Sequence, residues 1–339
     1  MNAARLKILL AENTAILTLI MLIVVLSILS PRFLTVTNAL TVVQQVAEIG
    51  LIALPLAFLV MSGSIDLSVG AVASLGAVTS ALVAVESGNL WIGIAAGLAV
   101  GLVTGAINGV LVAYAGLNPL VVTMGFMSVW GGFALFLTNG KTVTGLPADA
   151  RALSAFHLGP LSFQMMVLIA AVALAWFVLN RRPFGRQVLA TGGNARAAYL
   201  MGVNVRWVHL RLFMVTGVCA AFAGILVSMK LQAAAPTMGT GMEFSALTVV
   251  LLGGVAFEGG KGKVSGVIAG LFFVGALRNG LVILGVSQFL QTVFIGLTLV
   301  LAISLDKTIQ QVLKRAWTNL VKASPADDEL AAAQTPAAK

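Results

Sequence analysis

Charge is scarce in this sequence. Of 339 residues only 9% are Asp, Glu, Lys or Arg, against about 25% in an ordinary soluble domain. There is one cysteine, Cys219, and there are two histidines and two tyrosines. Each shortage excludes something. A lone cysteine forms no internal disulfide, and Cys219 sits in an apolar run, where it reads as a small core residue. His157 and His209 lie far apart in predicted loops, so no Cys/His cluster has the spacing of a metal site. With 59% apolar residues and a mean hydropathy of +1.04, the chain has too little polar surface to cover a water-soluble core. A soluble enzyme, a nucleic-acid-binding module and a disordered chain are therefore poor readings, and an all-α polytopic membrane protein is the expectation.

A nucleotide loop is also missing. The stretch Gly254–Lys263, GVAFEGGKGK, looks like one at first, but a Walker A loop needs G-x-x-x-x-G-K-[ST]. Here Val255 stands at the first glycine position and Gly262 at the Ser/Thr position. The chain by itself is not expected to draw on ATP.

What is present is a series of long apolar runs separated by short polar breaks. A helix needs about 20 apolar residues to cross a bilayer. Ten runs stand out: 13–30, 42–61, 67–85, 91–115, 119–138, 160–180, 210–229, 244–257, 264–284 and 289–305. The eighth, Phe244–Phe257, is short for a crossing and reads as a half-membrane or broken helix. The basic segment Met1–Lys7 precedes a long run with no small-x-small cleavage site behind it, which points to a retained first span. The division expected is a cytoplasmic N-terminus (1–12), a transmembrane domain (13–305) with a cytoplasmic loop at 181–209, and a mobile cytoplasmic tail (306–339) rich in Ala and Pro.

Lys and Arg set the orientation. With the N-terminus inside, 15 of the 20 basic residues fall on the inner side, including Arg181, Arg182, Arg186, Arg196, Lys261 and Lys263. Four fall outside (Arg32, Lys141, Arg151 and Lys230), and Arg278 alone lies within an apolar run. The formal net charge of +9 is thus an orientation signal and not a nucleic-acid footprint. Both termini are expected in the cytoplasm.

Several residues invite a role. Gly97, Gly101, Gly105 and Gly109 recur at i, i+4, giving one bare helix face on which a neighbouring backbone can approach closely. That face suits packing inside the subunit, or a moving or dimer-forming surface. Asp66, in the break Ser62–Asp66 and close to Ser68, is an acid at bilayer depth and so needs pairing, hydration or a function. It can cap the next helix, contact a solute or gate, or carry a proton. Asn108, Asn118, Thr123 and Asn279 can line a hydrated path or bond between helices. Glu48 and Arg278 complete, with Asp66, the set from which an ion-coupled transporter would have to draw.

The loop at 181–209 reads RRPFGRQVLATGGNARAAYLMGVNVRWVH. Asn194 suits an N-cap, Ala195, Arg196, Ala197, Ala198, Tyr199, Leu200 and Met201 favour a helix, and Gly202 can close it. The apolar Tyr199, Leu200 and Met201 can dock into a partner's groove or rest on the lipid surface. Internal similarity is faint: SGSIDLSVGAV around Gly63 and Gly70 matches EGGKGKVSGVI around Gly259 and Gly266 in glycine spacing, and GAINGVLV (Gly105–Val112) echoes GALRNGLVIL (Gly275–Leu284).

IDLSVG (Ile65–Gly70), NPLVVTMG (Asn118–Gly125), the loop PFGRQVLATGGNARAAYLMGVNV and TVVLLGGVAFEGGKGKVSG together resemble the membrane permeases of ribose-type ABC importers. That group serves ribose, xylose, rhamnose, galactofuranose and autoinducer-2. The likeness runs from about Thr35 to Asp306. It implies a vitamin-B12-type ten-helix fold, in the bacterial inner membrane, working as a pair with a second copy or a related chain. It further implies two ATPase modules, separate or fused in one polypeptide, which hold the ATP and Mg, and an extracytoplasmic binding protein that delivers a sugar or similar polyol-like solute. No cofactor is expected on this chain. The helix Asn194–Gly202 falls at the family's ATPase-coupling helix, and Asp66, Ser68, Asn108, Asn118 and Thr123 fall near its translocation path.

Overall fold

The computed structural model describes residues 14–304. The basic segment Met1–Lys7 and the tail from residue 306 lie outside them. Ten apolar helices of ten or more residues organise this part of the chain, seven of them long and apolar enough to cross a membrane. In order these are α1 (Thr14–Leu29), α2 (Val36–Met61), α3 (Val69–Ser87), α4 (Leu90–Ala113) and α5 (Pro119–Thr138). A short cap follows: β1 (Val143–Thr144), α6 (Ala148–Ser154), β2 (His157–Leu158) and β3 (Leu161–Ser162). Next come α7 (Phe163–Arg181), α8 (Pro183–Gly193), α9 (Ala195–Leu200), α10 (Val205–Leu231), β4 (Ala233–Ala234), α11 (Met242–Leu252) and α12 (Val264–Ile283). The last is α13 (Gln288–Ser304). The molecule is a multi-pass helical membrane protein.

Local chemistry fixes several of the helix ends. The side chains of Thr35, Asn89, Asn118, Ser162, Asn194 and Asn204 each accept a hydrogen bond from an amide of the first turn that follows. Each satisfies an N–H that the helix leaves without a partner. Gly88 ends α3 with φ +64, a conformation that suits glycine.

α2 is the central element. Every residue from Val46 through Met61 is buried, as befits a helix that is apolar all round and enclosed by other helices. α10, α12, α11 and α7 pack around it, while α3 and α4 pack on α10. Lipid gives apolar side chains no reason to associate with one another, so close backbone approach has to hold the helices together. The glycines of α4 provide it. A methyl on Gly97 would meet the Gly76 carbonyl, one on Gly101 the Gly217 carbonyl, and one on Gly105 the Phe213 carbonyl. The bare face of α4 is therefore turned toward α3 and α10 within the subunit.

The two ends of the bundle differ. At one end β1 pairs antiparallel with β4, Val143 opposite Ala234, and Ala150 of α6 packs with Leu90, Ile225 and Met229. Lys141, Arg151 and Lys230 gather there. At the other end the last turn of α8 meets the last turn of α2 and the Gly259–Gly260 turn, with α9 following directly on α8, so Arg186, Arg196, Lys261 and Lys263 share that end. Among the described residues, these members of the expected inner and outer sets lie at opposite ends of the bundle; Arg5, Lys7 and the basic residues from Lys307 onward lie outside the described residues.

Several boundaries differ from the apolar runs; α2, for one, begins at Val36 and not at 42. The loop at 181–209 holds a second helix, α8, whose Pro183 sits at its first turn, where the missing N–H costs nothing. α10 starts at Val205, so His209 is in a helix and not in a loop. Pro160 belongs to the β2–β3 hairpin, not to α7. The eighth run is α11, only 11 residues and roughly 16 Å long at the α-helical rise. The irregular segment ahead of it starts beside β1, and Gly239 donates its N–H to Ser74 Oγ of α3 at 2.9 Å. Segment and half-helix together complete one crossing.

Candidate translocation and coupling sites

Two places in the fold carry the polar residues singled out from the sequence. The first is the break between α2 and α3. Asp66 is 1% exposed. Its Oδ1 accepts from the Ser68 N–H at 2.8 Å and from Ser68 Oγ at 2.6 Å. Asn108 of α4 donates through Nδ2 to Ser68 Oγ at 2.8 Å. Asp66, Ser68 and Asn108 thus form one buried chain that ties the start of α3 to α4, with Asn108 Oδ1 left without a partner. The other two residues expected near them do other things. Asn118 is exposed and caps α5, accepting from the amides of Leu120 and Val121. Thr123 is buried and donates to the Pro119 carbonyl at 2.8 Å.

The remaining charged candidates are dispersed. Glu48 is buried on α2, and its Oε1 lies 3.2 Å from Lys230 Nζ at the end of α10. Arg278 is half-buried on α12, next to the buried Asn279. Asp66, Glu48 and Arg278 are not joined by hydrogen bonds or ion pairs among the described residues. Cys219 is partly buried and unpaired in α10. No group of three or more His, Cys, Asp or Glu able to hold a metal occurs among the described residues.

The reading of the sequence missed two features here. Glu243 is buried in the first turn of α11, where its Oε1 accepts from the Gly241 N–H at 3.1 Å, and a methyl on Gly70 would strike its carboxylate. The eighth run begins one residue too late to include it. The second is an aromatic stripe on α5. Phe126 stacks on Trp130 with ring centroids 4.9 Å apart, and Phe133 follows at 6.2 Å. Trp130 and Phe133 face Leu75 and Thr79 of α3 and Val100, Val103 and Thr104 of α4 across an apolar crevice of about 400 Å³. The indole N–H of Trp130 and the Thr79 hydroxyl are buried beside it without partners. The signal in the sequence was the spacing of aromatic residues at i, i+4 and i+7.

The second place is the α8–α9 end. Asn194 Oδ1 accepts from the Ala197 N–H at 3.0 Å and so opens α9. Gly202, with φ +85, returns the chain. The amides of Gly202 and Val203 bond the Tyr199 and Ala198 carbonyls, a glycine-based helix stop. The helix ends at Leu200 and Met201 is its C-cap, one residue earlier than its propensity suggests. Ala198 is buried and anchors it, while Tyr199, Leu200 and Met201 are 70%, 76% and 84% exposed. At the α7–α8 junction Arg182 lies over the Phe177 ring, and on α10 Arg211 lies over the Trp207 ring, each at 4.8 Å.

Residues 38–303 match the family described as "branched-chain amino acid transport system / permease component". The chain is 37% identical over 294 residues to the ribose import permease protein RbsC of Bacillus subtilis, covering 86% of this chain and 91% of that one. It is 35% identical over 306 residues to the ribose import permease protein RbsC of Escherichia coli K12, covering 89% and 95%. It is also 35% identical over 285 residues to the L-arabinose transport system permease protein AraH of the same strain, covering 84% and 87%. No solved structure matches the chain. A buried polar break between central helices, an apolar helix tip offered at one end and these relatives agree, and the chain belongs to this family of transport-system permease components.

Proposed function

We propose that the chain is the membrane-spanning permease subunit of an ATP-driven importer for a monosaccharide or a similar polyol-like solute. The observation that carries this is sustained identity, over more than four-fifths of the chain, with permeases named for ribose and arabinose. The family description names branched-chain amino acids, but the relatives matched over nearly their whole length are named for sugars. The substrate class follows them.

In this reading the chain provides a route and no catalysis. The nucleotide is bound and hydrolysed on partner ATPase modules, which grip α9, and a solute-binding protein delivers the sugar at the β1–β4 end. A second permease copy or a related chain completes the route. The excess of Lys and Arg at the α8–α9 end supports a cytoplasmic location for that end and for both termini, in the bacterial inner membrane. Ten apolar helices with one half-helix suit the vitamin-B12-type arrangement that the resemblance implies.

The test is reconstitution of the chain in vesicles with its ATPase and binding protein. Uptake of a labelled pentose or hexose should require ATP and persist when ion gradients are collapsed. Uptake without the ATPase that stops with the ion gradient would remove the proposal, as would ATP-driven uptake of leucine and not of sugars.

A further inference from the structure

The motif EGGKGK at 258–263 is not a nucleotide loop, and the fold shows where it goes. A helix leaves its last four carbonyls without partners, and α2 ends in the middle of the α8–α9 end of the protein. Two of its carbonyls are satisfied from distant parts of the chain. The Gly260 N–H donates to the Met61 carbonyl at 2.8 Å. His209 Nε2 lies 3.1 Å from the Ser62 carbonyl, which can only accept, so this nitrogen carries the proton. Gly192, at the end of α8, is packed so closely on the Met61 carbonyl that a methyl there would collide with it. Gly259 and Gly63, both with positive φ, face each other across the same junction, and a methyl on Gly260 would meet Gly193 at 2.7 Å.

Three segments thus touch through backbone: the last turn of α8, the break that leads through Asp66 to α3, and the break between α11 and α12. A side chain at Gly192, Gly259 or Gly260 would strike backbone of a neighbouring segment. Packed backbones of this kind pass a displacement on directly, whereas flexible side chains would absorb it. The junction is also only partly covered, with Gly63 exposed and Gly192, Gly259 and Gly260 half-buried, so it can shift without opening the core.

We propose that the C-terminus of α2 is where motion of α9 enters the membrane domain, with Gly192 and Gly260 clasping the Met61 carbonyl and His209 holding the Ser62 carbonyl as positioning residues. A pull on α9 moves Gly192 against Met61 and tilts both broken-helix segments together. This rests on the proposed function, since it presumes that a partner moves α9.

The experiment uses the reconstituted complex of full-length chain, ATPase and binding protein, and reads ATP hydrolysed per sugar imported. Gly192→Ala should raise that ratio about tenfold, within the range of ordinary allosteric couplings, with the ATPase still co-purifying. Gly193→Ala is the control, because a methyl there meets only open space, and it should leave the ratio unchanged. His209→Phe keeps the bulk and removes the donor, so the ratio should rise in the same direction. An unmoved ratio in Gly192→Ala, or an equal rise in Gly193→Ala, overturns the inference. Should Gly192→Ala fail to assemble, an unmoved ratio in His209→Phe overturns it. A wild-type complex with no ATP-driven import removes the proposed function itself, whereas a working wild type with unresponsive variants removes only the relay.

Discussion

Asp66 shows how a buried acid can be occupied without a counter-charge. Its carboxylate is engaged by the Ser68 amide and hydroxyl, and the start of α3 depends on it. Alanine at 66 would strand a buried N–H, which costs about 1–3 kcal/mol, and should lower the thermal midpoint of the purified protein. Asparagine keeps an accepting oxygen in the same place for the Ser68 amide and hydroxyl, so Asp66→Asn should melt close to the wild type and retain import. Loss of import in a well-folded Asp66→Asn would show that the negative charge itself is used. The glycines of α4 are the complementary case, where the absence of a side chain is the contribution. Leucine at both Gly101 and Gly105 would have to displace the backbone of α10, whose carbonyls lie against them. Overpacking costs about 1–3 kcal/mol at an ordinary core site. A large drop in thermal stability by fluorescence is therefore expected; an unchanged melting curve would contradict the packing described.

At the scale of elements, α9 is too short to be stable alone, since isolated helices under about 12 residues are marginal in water. It persists because Asn194 caps it, Gly202 closes it and Ala198 is buried against its neighbours. That leaves Leu200, 76% exposed, free of any task inside the subunit. Leu200→Asp should therefore fold normally and yet uncouple hydrolysis from import or release the ATPase. Normal coupling together with normal co-purification would show that α9 is not the docking element. α11 illustrates the opposite dependence. Half a helix suffices here because the segment before it satisfies its amides through Ser74, Glu243 and its own carbonyls and packs against Gly70, as backbone at membrane depth must.

For the whole molecule, the separation of charge between the two ends makes a topological prediction. In a Cys219→Ser background, a cysteine at Lys141 should react with an impermeant thiol reagent in intact spheroplasts. A cysteine at Arg196 should react only after the membrane is opened. The reverse pattern would invert the orientation and place α9 where no cytoplasmic ATPase can reach it.

Much of this was legible in the chain because the responsible physics is local. Apolar runs, the Asn194 cap and the glycine stripe of α4 act over one to four residues, so their pattern survives in one dimension. The counts of Lys and Arg on alternate sides needed no coordinates either. α8 was not legible as an apolar run because it is amphipathic and opens with Arg and Pro, and Glu243 was lost to a boundary set by hydropathy alone. What only the tertiary structure decided are meetings of distant residues: Ser62 with His209, 147 positions apart, Met61 with Gly260, and Glu48 with Lys230. Sequence determines which backbone groups a helix end leaves unsatisfied, but the partner that satisfies them is chosen by packing, because any N–H brought within reach would serve.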